Sequence, residues 1–201
     1  MNNEIKNIIN WLNKDIHTDY TVKDFPNSIN KIYWDHISKY QKLSEDFIEK
    51  YQDKLNWDYI SKYQNLSESF IEKYKNELDW FWISRYQDLS ESFIEKYKDK
   101  VVWFLISSHQ ILSEEFIEKY KDCISWYNIP MSQELSKSFI EKYKNKFNWE
   151  YVSKYQKLSY LFIIKFRDYL IWDIIKENYN LTYFDICKYI NFDNNKINLN
   201  I

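Results

Sequence analysis

The sequence predicts an all-α fold, an α-solenoid of about eight tandem 23-residue helix-turn-helix repeats. Three observations predict it. Tryptophan recurs at a fixed interval, each interval carries two stretches of helical hydrophobic spacing, and neither strand-like alternation nor a glycine turn interrupts them. A chain of helical pairs with nothing else to pack on buries its apolar stripes by stacking pair on pair.

The lattice is strict. Eight of the nine tryptophans stand at Trp11, Trp34, Trp57, Trp80, Trp103, Trp126, Trp149 and Trp172, each 23 residues after the last. Three residues later come Ile37, Ile60, Ile83, Ile106, Ile129, Val152 and Ile175. Nine residues later come Leu43, Leu66, Leu89, Leu112, Leu135, Leu158 and Leu181, then a hydroxyl (Ser44 through Ser159, with Thr182 last) and an aromatic (Phe47 through Phe162).

Within one unit, Ser44 is a good N-cap. Its oxygen can accept from a free backbone N–H, and Glu45 and Asp46 complement the positive helix end. Leu43 and Ile48 stand at hydrophobic-staple spacing, and Phe47, Ile48, Tyr51 and Leu55 form one apolar stripe with the helix ending near Leu55. The second helix of each unit starts at its tryptophan, capped by Asn56, Asp79, Ser125 or Asn148. Helices of about two turns are marginal alone in water, so stacking is required. At the usual interhelical distances, eight units would build a curved rod on the order of 70 Å long.

The ends depart from the lattice. Residues 1–33, with Pro26, read as an N-terminal capping repeat, 34–181 as the tandem repeats, and 182–201 as a C-terminal cap and tail. Tyr160, Leu161, Ile164 and Phe166 replace polar or tyrosine positions, and the reading is that the last full unit tucks beneath that cap.

Composition excludes several classes. The net charge of −2 forces neither a polyanion mimic nor an obligate nucleic-acid binder. Cys123 and Cys187 lie far apart without neighbouring histidines, against a disulfide framework or a zinc site. The N-terminus lacks a basic stretch followed by an apolar one, and no run approaches the ~18 apolar residues of a membrane span, so a cytoplasmic protein with no membrane partner is expected. The Asn-x-Ser/Thr matches at Asn65 and Asn180 are chance in a chain so rich in asparagine. Without glycine there is no phosphate-cradling loop, and His17, His36 and His109 form no catalytic arrangement, so neither an enzyme nor a cofactor is expected.

Two candidate surfaces remain. Positions just after the lattice tryptophan are polar in outer units (Asp35-His36, Asp58-Tyr59, Glu150-Tyr151) and greasy in the middle: Phe81-Trp82, Phe104-Leu105, Tyr127-Asn128. Nearby, Ile111, Met131, Ser108 and Pro130 replace the usual polar or basic residues, and His109 stands where other units have tyrosine. Phe81, Trp82, Phe104, Leu105, Ser108, His109, Ile111, Tyr127 and Met131 are therefore the candidate partner-binding residues, with binding of another protein, homodimerisation and internal burial as the three uses of such a patch. The second surface is a basic ladder, Lys39, Lys62, Arg85 and Lys154, with Lys75, Lys98, Lys121, Lys144 and Arg167 as a further set. At one rung per unit it could follow the phosphates of single-stranded nucleic acid. The column Glu49, Glu72, Glu95, Glu118 and Glu141, beside lysines from Lys50 to Lys165, reads as a solvated face.

The unit Leu66-Ser67-Glu68-Ser69-Phe70-Ile71-Glu72-Lys73-Tyr74 followed by Asp79-Trp80-Phe81-Trp82-Ile83-Ser84-Arg85-Tyr86-Gln87 resembles the short Trp/Phe-rich helical repeats of giant-virus and phage proteins, over residues 34–181. The abundance of Asn, Ile, Lys, Tyr and Phe, whose codons are AT-rich, fits such a source or a low-GC bacterium. The resemblance implies a virus-borne interaction protein in the host cytoplasm, bound to a host protein or a defence ribonucleoprotein complex, with an inhibitor of bacterial immunity such as an anti-CRISPR as one such role.

Overall fold

The structure, a computed structural model, describes residues 2–179 other than 19 and 24. The expected C-terminal cap at 182–201, Asn180 and Cys187 lie outside the described residues. All fourteen elements among the described residues are helices, and none of those residues forms a strand. The fold is an α-solenoid of tandem short helices. The chain divides into two compact units, Met1–Val102 and Trp103–Ile201.

The first unit holds α1 (Asn2–Asp15), α2 (Lys31–Tyr40), α3 (Glu45–Lys50), α4 (Trp57–Tyr63), α5 (Glu68–Lys73), α6 (Trp80–Tyr86) and α7 (Glu91–Lys96). Its tryptophan-bearing helices form the spine, α2 packing on α4 and α4 on α6. The second unit holds α8 (Trp103–His109), α9 (Glu114–Lys119), α10 (Ile129–Ser132), α11 (Lys137–Lys142), α12 (Trp149–Tyr155), α13 (Tyr160–Lys165) and α14 (Trp172–Tyr179). Here α8 packs on α10, α10 on α12 and α12 on α14.

The serine-capped helices start where predicted. Each of Ser44, Ser67, Ser90, Ser113, Ser136 and Ser159 accepts from the backbone N–H three residues on, at 3.1–3.3 Å. They end sooner than the hydrophobic stripe. α3 stops at Lys50, and the N–H groups of Lys54 and Leu55 both turn back to the Tyr51 carbonyl, at 2.9 and 3.2 Å. With no glycine to take a left-handed cap, the chain closes the helix through Tyr51 at φ −117° and buries Leu55 from a turn instead.

The tryptophan-bearing helices begin at Asn56, Asp79 and Asn148 as expected, each side chain accepting from the first turn at 2.7–3.2 Å. The expectation fails at Ser125. Residues 126–128 form turns, the N–H groups of Asn128 and Ile129 share the Ser125 carbonyl, and α10 starts only at Ile129. Pro130 is the cause: it has no N–H for the Trp126 carbonyl, and it is tolerated only in the first turn of the shortened helix.

Two buried polar ladders, not anticipated from the sequence, tie repeat to repeat. Ser38, Ser61, Ser84, Ser107 and Ser153 are fully buried. Each donates to the carbonyl of its own tryptophan or, for Ser38, of Trp34, at 2.7 Å. Each also accepts the N–H of a residue 18 positions ahead, at 2.8–3.0 Å. The glutamines one turn further do the reverse. Gln87 accepts from the Leu66 N–H at 2.9 Å and donates to the carbonyls of Ser61 and Gln64 at 3.0 and 2.8 Å. Gln64 and Gln156 repeat the pattern, while Gln133 accepts from Leu112 and donates to the Gln110 carbonyl, the Ser132 hydroxyl donating to the Ser107 carbonyl in its place. The loops between helices thus satisfy buried backbone groups with serines of the preceding repeat and glutamines of the following one.

The N-terminal end is closed by substitutes. Glu4 of α1 accepts from the Ser44 N–H and hydroxyl at 2.8 and 2.9 Å, as Glu45 does for Ser67 one repeat on. Asn13 holds both backbone groups of Tyr20, at 2.7 and 2.8 Å. The left-handed position after α1 falls on His17, at φ 58°.

Candidate functional site

The lattice tryptophans are packing residues. Trp80 stacks on Phe93 and Tyr97 at ring separations of 6.3 and 5.1 Å, and Trp103, Trp126 and Trp57 do the same with their own Phe and Tyr. Their indole N–H groups donate to the carbonyl five residues back, as in Trp57 to Gln52 and Trp126 to Lys121. Those rings are half-buried, packed against the Phe and Tyr of the stack.

The expected apolar patch divides between the units. In the second unit Ile111 is 91% exposed, Phe104 59%, Tyr127 54% and Met131 41%. These are large apolar side chains turned to solvent on the α8–α10 side. Leu105 is not among them; at 3% exposure it belongs to the core. At the same position, two after the tryptophan, the larger His36, Tyr59 and Trp82 are only half-buried. Half-buried Ser108 and exposed His109 bond to their own helix: the Ser108 hydroxyl lies 2.9 Å from the Phe104 carbonyl and 2.8 Å from His109 Nδ1. Tyr127 reaches across to Tyr151 on α12, hydroxyl to hydroxyl at 2.6 Å, and that bond is the main cause pushing Tyr151 up to about 12. In the first unit Phe81 is exposed and meets Trp82 edge-on at 4.8 Å. Exposed Tyr155, Tyr160 and Leu161 extend the apolar surface of the second unit. Tyr160 and Leu161 leave α13 toward solvent among the described residues and Phe166 is buried, while the cap expected to cover the last unit lies outside the described residues.

The two sets of lysines have different partners. Lys73, Lys96, Lys142 and Lys165 on the serine-capped helices each bridge to the glutamate of the preceding repeat, Glu49, Glu72, Glu118 and Glu141. The Glu and Lys columns therefore form one inter-repeat ladder, in which the lysine holds the Glu72 and Glu118 carboxyls below the usual range. These lysines also lie over the ring that follows them, as Lys73 over Tyr74 at 5.4 Å, whereas among the described residues the spine-helix cations have rings without a glutamate. Lys39 lies over Tyr40, Tyr59 and Tyr63 at 4.7, 5.8 and 5.7 Å. Lys62 lies over Trp82 and Tyr63 at 4.2 and 5.0 Å, Arg85 over Tyr86 at 5.3 Å, and Lys154 over Tyr155 at 5.3 Å. Contact with the Tyr40 hydroxyl holds Lys39 above the ordinary lysine range.

An open groove of about 620 Å³ runs between the starts of α2 and α4, lined by Trp34, Asp35, Lys54, Asn56, Trp57 and Asp58. Among the described residues no group of three His, Cys, Asp or Glu side chains is placed to hold a metal ion. No helix of those residues is long and apolar enough to cross a membrane. Comparison with family models, curated proteins and solved structures finds no match to this chain.

Proposed function

We propose that this chain is a non-enzymatic repeat scaffold that binds another protein through the apolar side chains of its second unit, with Phe104, Ile111, Tyr127 and Met131 as anchors. One observation carries the reading. Ile111 stands 91% exposed where the other repeats place Lys42, Asn65, Asp88, Glu134 and Lys157. A folded chain gains nothing by presenting so large an apolar group to water, whereas a partner that covers it gains the burial. The role implied by the resemblance, a phage or viral inhibitor of bacterial immunity such as an anti-CRISPR, belongs to the same proposal, with a defence complex of the host cytoplasm as the partner.

The test is affinity capture from bacterial lysate with quantitative mass spectrometry, comparing the native chain with Phe104→Asp/Ile111→Asp and with the control Asn65→Asp. Loss of anchors of this kind costs about 2 kcal/mol or more, roughly thirtyfold in affinity. The reading expects one set of host proteins retained by the native chain and the control and lost by the double variant. An identical captured set in all three contradicts it.

A further inference from the structure

We propose that the spine-helix face of the first unit is a binding site for single-stranded nucleic acid, distinct from the apolar anchors of the second unit. Three successive helices, α2, α4 and α6, each present one cation and one exposed ring at the same two positions: Lys39 with Tyr40, Lys62 with Tyr63, Arg85 with Tyr86. Among the described residues none of these cations has a carboxylate within 4.0 Å, in contrast to the glutamate-paired lysines on the serine-capped helices. Arg85 also keeps a buried Nε without a hydrogen-bond partner. Asp35 and Asp58 precede Lys39 and Lys62 by four residues on the same helix face, and Asp35 is engaged by the Asn56 amide, which donates to it at 2.9 Å; α6 carries no acid.

The chemistry selects the partner. Tyr40, Tyr63 and Tyr86 are 58, 42 and 47% exposed, so each rung offers ring surface beside an uncompensated positive charge. Single-stranded nucleic acid uses both, bases stacking on rings while phosphates meet cations. An acidic peptide would engage the cations and leave one ring per repeat with nothing to stack on it. Lys62, drawn onto the Trp82 face at 4.2 Å, and Lys39, above Tyr59 and Tyr63, lie along the row of rings and keep the charges in line with it. With neighbouring helices roughly 8–10 Å apart, three rungs span about 16–20 Å, a run of a few nucleotides.

The experiment is fluorescence anisotropy of the full chain with a labelled oligothymidine, at 50 and 200 mM salt. Three phosphate contacts to a single strand give a slope of about −2.1 in log affinity against log salt, an approximately 18-fold loss across that range. Lys62→Gln and Arg85→Gln should each reduce the slope by about 0.7. Tyr63→Leu should weaken binding at least about fivefold with the slope unchanged. Lys73→Gln, whose charge is paired with Glu49 at 2.6 Å, should change neither. Circular dichroism confirms that each variant is folded, and a variant that fails this check is replaced by the charge-preserving Lys62→Arg, which should bind as the native chain does. No retention of the oligonucleotide at 50 mM salt overturns the proposal, as does binding indifferent to Lys62→Gln and Arg85→Gln, or displacement by polyglutamate as effective as by unlabelled oligonucleotide. None of these outcomes depends on Phe104 or Ile111, so the protein-binding reading stands or falls separately.

Discussion

Gln87 shows how much a single side chain contributes to this architecture. Its amide closes three hydrogen bonds, and each partner is a backbone group of the preceding repeat with no other way to be satisfied in the interior. Gln87→Leu keeps the volume and leaves an N–H and two carbonyls unpaired. We expect a loss of about 3 kcal/mol or more in chemical denaturation, against under ~1 kcal/mol for Tyr86→Ala on the exposed face beside it. Equal losses would mean that the ladder is incidental. The sequence did contain the signal: serine four residues and glutamine seven residues after the tryptophan recur on the same interval as the indoles. Hydrophobic periodicity finds the indoles because apolar spacing reports burial directly. It passes over the polar rungs, whose partners lie 18 to 26 residues away in another repeat. Leu105 likewise reads as one more greasy substitution beside Phe104, because sequence alone does not tell a buried leucine from an exposed one at a position where other units carry His36, Tyr59 and Trp82.

Among elements, α10 is the exception that identifies its own cause. Pro130 occupies the position of Ser107 and Ser153, so it removes both a helix N–H and the hydroxyl that would accept from Asn148. Pro130→Ser should extend α10 back to Trp126, slow exchange of the Asn148 amide proton, and stabilise the second unit by about 1–3 kcal/mol. Unchanged exchange at Asn148 would refute this. The Glu–Lys rungs make a smaller, pH-dependent contribution. Glu72 and Glu118 titrate below their ordinary range because Lys96 and Lys142 lie against them. Their stabilisation is thus present above the unfolded value of 4.5 and is lost as pH falls through the lower folded value. Since these pairs are exposed, the effect is modest and screened by salt. Thermal midpoints of the native chain and of Glu72→Gln/Glu118→Gln should therefore converge at acid pH and separate slightly near neutrality. A constant separation at every pH would contradict the assignment. Element existence was legible because caps and apolar spacing agree. Element ends were less so, since the stripe through Leu55 continues past α3 into a turn.

For the whole molecule, the claim is modularity: the 23-residue intervals that begin at Trp34 through Trp149 carry the apolar contacts, the glutamine rung, the cap and, Pro130 apart, the serine rung that their neighbours require. The fold class was legible because that interval is visible in the indoles alone. Of the candidate surfaces, Ile111 and Phe104 in the second unit were legible as departures from it, and the row from Lys39 to Arg85 in the first unit as a rung repeated on it. What occupies those surfaces depends on chemistry outside the chain. The most direct measurement compares two internal deletions by circular dichroism and urea denaturation. Removal of residues 57–79 joins Asn56 to Trp80 and restores the register, so it should leave a cooperatively unfolding helical protein with the same helicity per residue and a smaller denaturant slope, in proportion to the surface removed. Removal of residues 57–68 breaks the register and should abolish helicity in the first unit. If the two deletions lose helicity alike, the repeats are not interchangeable modules and the account is wrong.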